Sequence, residues 1–203
     1  MDKIICVGKN YLEHAKELGE AQPDFPVLFL KPPSVLKQAH SWNEQLVTQL
    51  PIDEEVVPEC ELILEIGRDG YRINQELAAT FIRHVTVGLD VTLRGRQRQL
   101  KERGHPWTIA KVFPDAAIIG PWSNNESLTL PFSLHCNHQR WQYATARDMI
   151  HSPSFLVHTI SQFFPLCEGD IIFTGTPAGC ISVQRHQRIE VSLGDKQFTV
   201  TFL

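Results

Sequence analysis

Residues 56–66 read VVPECELILEI, an apolar run that carries Glu59, Glu61 and Glu65, all at odd positions. An extended strand sends successive side chains to opposite faces. Cys60, Leu62, Leu64 and Ile66 then share one face and read as core, while Glu59, Glu61, Ile63 and Glu65 share the other. Carboxylates gathered on one face repel each other unless water or a cation offsets them. Two acidic residues two apart on a strand commonly mark nothing more than a wet edge, so a third carboxylate is needed to make a site. Asp90 supplies it, because it closes the apolar run VTVGLD and strand ends are where sites open. Three carboxylates without a His or Cys partner form a hard, all-oxygen donor set. Such a set favours Mg²⁺ or Mn²⁺ over zinc.

Around this run the chain is ordinary in composition. Its 203 residues, 42% of them hydrophobic, suit one globular domain spanning 1–203 with a core of its own. A formal net charge of −4 gives no sign of a nucleic-acid partner or an anionic membrane surface. No apolar stretch approaches the length of a bilayer span. The opening MDKIICVGKNY lacks the charged, apolar and small-residue sequence of a signal peptide. Five scattered cysteines without a C-x-x-C pair read as reduced thiols of a cytoplasmic protein.

KIICVG reads as a short buried strand. NYLEHAKELG follows as a helix, with Asn10 at its N-cap and Gly19 beyond its last turn. PVLFLKPP is a second strand, stopped by Pro32 and Pro33. Residues 34–56 are polar and irregular. NQELAATFIRH has helical spacing with Asn74 as a cap, VTVGLD is a strand, and VTLRGRQRQLKERG is a charged helix or turn halted by Gly104. Beyond residue 107, strands and turns alternate (AAIIG, LTLPFSLHC, DIIFTG, RIEVSL, QFTVTFL). SPSFLVHTISQFF interrupts them as a helix capped by Ser152 with Pro153 in its first turn. Strands dominate and the helix–strand alternation is irregular. The expected fold is therefore mainly β with α (α+β), not a doubly wound sheet.

Three further places carry chemistry. His14 and Glu17 lie three apart on the first helix, where a carboxylate can orient an imidazole, although such pairs are more often exposed contacts. Lys111 sits within the apolar WTIAKVF and either snorkels outward or points into a cleft. The GDIIFTGTPAG segment runs a strand into a turn able to offer hydroxyls and N–H groups to an anion.

Taken in order, ICVGKNYLEHAKELG, PVLFLKPPS, ECELILEIG, VTVGLDVTLRGRQ, PWTIAKVF and GDIIFTGTPAG resemble the hallmark segments of the fumarylacetoacetate hydrolase family, in its small single-domain bacterial form. The resemblance implies a mixed β-sandwich or rolled sheet, a homodimer, and a divalent metal (Mg²⁺ or Mn²⁺) held by Glu59, Glu61 and Asp90. It implies a water-activating dyad of His14 and Glu17 on a lid-like helix, and Lys111 facing the substrate oxyanion. Arg94 and Gln97 would lie near the substrate, and Thr176 would contact its carboxylate. The sequence departs from the family pattern at Val57 and Pro58, where a His is usual, and at Gly95 and Pro114, where Asp is usual. Ala144 and Ala146 stand for Gly and Thr in the Gln142–Met149 stretch.

The implied substrate is a short β-dicarbonyl acid, converted through an enolate whose charge the divalent ion and Lys111 offset. Hydrolysis of an acylpyruvate would need water activated by His14, whereas decarboxylation of oxaloacetate would not. The alternative activity is a keto–enol tautomerase or isomerase acting on oxaloacetate or a muconate-derived keto acid. A non-catalytic metal- and carboxylate-binding protein is the competing class.

Overall fold

The apolar run that carries the carboxylates pairs along its whole length with a neighbour one residue longer. The computed structural model describes residues 1–17, 19, 24–49, 51 and 54–203. In chain order its strands are β1 (Ile4–Gly8), β2 (Val27–Lys31), β3 (Leu36–Gln38), β4 (Gln45–Thr48), β5 (Val56–Ile66), β6 (Ile82–Leu93), β7 (Ala117–Ile119), β8 (Ser123–Asn124), β9 (Phe132–Cys136), β10 (Gln139–Ala144), β11 (Ile171–Phe173), β12 (Arg188–Leu193) and β13 (Lys196–Phe202). The α-helices are α1 (Leu12–Glu17), α2 (Arg94–Glu102), α3 (Thr108–Lys111) and α4 (Pro153–Ser161). The main sheet runs β2-β1-β11-β5-β6-β7-β3, with β8 also on β6, and the second runs β10-β9-β12-β13-β4. This is a mixed α+β architecture, mostly sheet, as the strand-rich sequence leads one to expect. Among the described residues, no helix is long and apolar enough to cross a membrane.

Three apolar clusters fix the layers. Cys60, Leu62, Val87 and Leu89 from the main sheet meet Leu134, Val191, Phe198 and Val200 of the second sheet. Farther along the same strands, Leu64, Ile66 and Val85 pack on Leu156, Val157 and Ile160 of α4. That helix forms as its sequence suggests: the Ser152 hydroxyl accepts the Phe155 N–H at 3.3 Å, and Pro153 occupies the first turn. On the opposite face, Ile63 joins Ile4, Cys6, Ile119 and Phe173. Both faces of β5 are therefore buried along nearly all its length, with Glu65 partly exposed. Fully burying a side chain such as Ile63 contributes about 1.5–3 kcal/mol. This strand is thus a rigid platform for what it carries.

Other local expectations change for tertiary reasons. The NQELAATFIRH segment forms only a single 3₁₀ turn at Ala78–Phe81, and its last residues join β6. Pairing wins there, because Ile82 and His84 complete the register opposite Ile66 and Glu65. Asn74 does not cap a helix; its Oδ1 accepts the Glu76 N–H within a turn. Asp90 does not end its strand, since β6 continues to Leu93. Residues 34–56 hold β3 and β4, although Leu50, Ile52 and Asp53 lie outside the described residues, as do Leu18 and Glu20 beyond α1. Asn10 does not cap α1 either. Its side chain is buried, donating to the carbonyls of His151 and Thr174 and accepting the His151 N–H at 2.7 Å.

Candidate active site

Glu59 and Asp90 face each other in register across β5 and β6, and Glu61 follows two residues along the same face. All three are buried, and their carboxylate oxygens approach within 4.8 Å of one another. Such a group is tolerable only with compensating charge, and three buried or nearly buried cations supply it. Lys111, at the end of α3, donates to Glu59 at 2.7 Å, to Asp90 at 2.8 Å and to the Thr92 hydroxyl at 2.6 Å. Arg94, the first residue of α2, pairs with Glu59 and donates to Gln97 at 2.8 Å. Lys31, at the end of β2, lies 2.7 Å from Asp90 Oδ1 and donates to the Ala116 carbonyl at 2.6 Å. The turn after β11 closes the ring: Gly175 donates its N–H to Glu61 at 2.6 Å. Gly175 has φ +101°, and a side chain there would meet Asn10, so the amide reaches Glu61 only from a glycine.

The electrostatics differ among the three carboxylates. Burial works against ionising Glu59, yet the Lys111 and Arg94 charges hold its carboxyl well below the usual range. Lys111 is likewise penalised by burial but raised by Asp90 and Glu59, so it stays charged. Glu61 goes the other way. Burial, then the charges of Asp90 and Glu59, push its carboxyl well above the ordinary value. A carboxyl pushed toward its protonated form by burial and by neighbouring carboxylates is one that a divalent cation would ionise. Asp90 Oδ1, close to Lys31, accepts no well-aligned hydrogen bond among the described residues. Proton affinity on Glu61 and an all-oxygen donor set together fit a hard divalent ion.

The other wall is α1. His14 is buried, its Nδ1 lies 3.2 Å from Glu17 Oε2, and Glu17 in turn accepts the Gly179 N–H at 3.3 Å to each oxygen. Gly179 has φ +96°, and a Cβ would fall 1.9 Å from the Trp141 carbonyl oxygen, so this docking turn admits no side chain. Between the walls lies a cavity of about 30 Å³, room for roughly one or two water-sized groups. His14, Phe29, Gln97, Trp107 and Thr176 line it together with the carboxylates, Arg94 and Lys111.

Of the residues the sequence assigns to a site, His14, Glu59, Glu61, Asp90, Arg94, Gln97, Lys111 and Thr176 border one cavity, and Glu17 reaches it through His14. Thr176 is turned to structural use as well: its hydroxyl donates to the Cys60 carbonyl and accepts from Gln142, each at 2.8 Å. Glu65, the third acid of the opening run, stands apart and pairs with Arg83 and His84. The sequence reading missed Lys31. Its signal was the same as that of Lys111, a lysine inside an apolar run (LFLKPP). Pro114 is followed by Asp115, which pairs with Lys37 at 2.7 Å, outside the cavity.

The fold and cluster define a class: curled mixed-sheet proteins that gather buried carboxylates and cations over the middle of the main sheet. The chain belongs to the fumarylacetoacetate hydrolase family, whose model "Fumarylacetoacetate (FAA) hydrolase C-terminal" matches residues 3–200. It is 36% identical over 205 residues to the mitochondrial oxaloacetate tautomerase of Arabidopsis thaliana, covering 98% of this chain and 90% of that one. It is 33% identical to oxaloacetate tautomerase YcgM of Escherichia coli, over 100% of this chain and 93% of that one. Among solved structures it resembles fumarylpyruvate hydrolase from Pseudomonas aeruginosa in complex with Mn²⁺ and pyruvate. The TM-score is 0.92 at 31% identity, with coverage of 100% and 91%.

Proposed function

We propose that this chain is a divalent-metal-dependent enzyme that cleaves a C–C bond in a short β-dicarbonyl acid, by acylpyruvate hydrolysis or oxaloacetate decarboxylation. Glu59, Glu61 and Asp90 would hold Mg²⁺ or Mn²⁺, which when bound supplies positive charge that polarises oxygens of the substrate. Lys111, fixed by three partners, offers a permanent positive charge to the oxygen on which enolate charge develops. Arg94 and Gln97 orient the substrate's polar end, Thr176 lines the same wall, and Phe29 and Trp107 keep bulk water out. With Nδ1–H donated to Glu17, Nε2 of His14 is the basic nitrogen and takes a proton from water. The hydroxide so formed adds to the distal carbonyl. The bond to C3 then breaks, its electron pair forms the enolate of pyruvate, and a proton returned to C3 completes the products.

The observation that carries this reading is the buried carboxylate trio with Lys111 at its centre, facing a His14–Glu17 pair across one small cavity. A second reading, keto–enol tautomerisation of oxaloacetate, is favoured by the names of two relatives and by the small cavity. It needs only a proton moved at C3. The experiment is an assay of acylpyruvates and oxaloacetate in Mg²⁺, following pyruvate, CO₂ and enol absorbance separately. Pyruvate or CO₂ release supports the first reading; enol loss alone supports the second; no turnover of either substrate rejects both.

A further inference from the structure

Beside His14 lies a second group of donors with different chemistry. Cys180 Sγ is 3.8 Å from His14 Nδ1, which is itself 3.2 Å from Glu17 Oε2, and the donor atoms of all three lie within 4.8 Å of one another. We propose that His14, Glu17 and Cys180 form a second cation site, one that takes Zn²⁺ and silences His14 when it is filled.

The donor set separates the two sites. Mg²⁺ and Mn²⁺ prefer oxygen and belong with the trio, whereas a nitrogen, a thiolate and one carboxylate suit zinc. The spacing also fits. Zn–S near 2.3 Å and Zn–N or Zn–O near 2.0–2.2 Å put pairs of donors on a tetrahedron roughly 3.3–3.6 Å apart. The two separations to His14, 3.2 and 3.8 Å, are close to those edges, and the Glu17 and Cys180 donors lie within 4.8 Å of each other. Three protein ligands would leave the fourth position to water.

The scaffold holds these donors in place. Gly179 N–H orients the Glu17 carboxylate from the residue next to Cys180, so one turn positions two of the three ligands. Glu17 is exposed, which gives the ion an entry path, while His14 is buried and Cys180 half-buried. Burial pushes the Cys180 thiol well up, so it waits as a neutral thiol until a cation takes its place against the proton. On binding, Zn–S, Zn–N and Zn–O bonds form, the thiol proton passes to solvent, and nothing is oxidised or reduced. With zinc on Nδ1, the ring proton resides on Nε2, which can no longer accept a proton from water. This last step rests on the role proposed for His14; the site itself does not.

The test uses Co²⁺ as a visible substitute for Zn²⁺, added to the full chain in excess Mg²⁺. The expected result is one Co²⁺ per chain with a thiolate charge-transfer absorption. That band is retained in Cys167→Ser, a control for the other partly exposed thiol, and lost in both Cys180→Ser and Cys180→Ala. Zn²⁺ affinity should fall more than about 100-fold in the Cys180 variants, beyond the loss of an outer partner. Zn²⁺ should then inhibit keto-acid hydrolysis by the wild type and not by Cys180→Ser. Absence of the band in the wild type, its persistence in Cys180→Ser, or equal Zn²⁺ affinity in wild type and variants would overturn the proposal. If Mg²⁺ alone supports no turnover, the enzymatic reading fails while the band still decides the zinc site.

Discussion

Replacing Lys111 by methionine removes the charge at the centre of the cluster and leaves most of the chain's length. The packing against Phe29, whose ring centroid lies 5.1 Å from Nζ, is largely kept. Three bonds are lost, to Glu59, Asp90 and Thr92. Removing one partner of a buried ion pair costs about 3–5 kcal/mol, because the other charge stays behind. Here Arg94 remains on Glu59 and Lys31 on Asp90, so the lower end applies, about 3 kcal/mol. Against a typical stability of about 5–15 kcal/mol the variant stays folded, with a clearly lower urea midpoint. Cation affinity should move the opposite way, since a competing positive charge has gone. Mg²⁺ at a hundredfold excess over its Kd then returns about 2.7 kcal/mol. Turnover should fall about 10²- to 10³-fold, the size of losing one oxyanion donor. Urea unfolding with and without Mg²⁺, paired with steady-state kinetics, reads all three effects. A wild-type midpoint without metal, or wild-type kcat, would refute the role given to Lys111.

Three further outcomes are expected. His14→Ala should abolish pyruvate release from acylpyruvates while leaving Mg²⁺ affinity nearly unchanged, measured by calorimetry; full hydrolytic activity removes His14 from the mechanism. Asp170 is disfavoured as a carboxylate by burial, but the Lys3 ammonium and the N–H groups of Cys167, Asp2 and Lys3 hold its carboxyl below the ordinary value. Its contribution is therefore complete above the unfolded pKa of roughly 4 and fades as pH falls through the lower folded value. Asp170→Asn should lose about 2–4 kcal/mol near neutral pH, with the gap to wild type narrowing in urea titrations below about pH 4; a pH-independent gap contradicts this. We also propose a homodimer, the commonest symmetric assembly. Sedimentation at micromolar concentration should give twice the chain mass, and a monomer would count against it.

The platform was legible in local signals, whereas Arg94, Gln97 and Thr176 were named only through the family resemblance and Asp90 through a strand end that β6 does not have. Near-alternation in residues 59–66, broken at Ile63, marks β5, and a lysine inside an apolar run marks Lys111, as it would equally have marked Lys31. What was hidden depends on partners distant in sequence. NQELAATFIRH has helical spacing, but Ile82 and His84 serve β5 across the sheet. The polar hairpin strand β10 is announced only by Asn137 and His138, both at positive φ, a turn usually written Asn-Gly. The buried state of Glu59 and Glu61 could not be read from alternation, because it follows from Ile63 packing against residues of β1, β7 and β11.

The central claim is that Glu59, Glu61 and Asp90 hold the divalent ion around which the enolate chemistry is arranged. A crystal grown with Mn²⁺ and oxalate, a mimic of the pyruvate enolate, tests it by anomalous scattering. The expected result is one manganese peak among those three carboxylates, with oxalate directed toward Lys111. A peak elsewhere in the molecule, or no peak at saturating Mn²⁺, would contradict it.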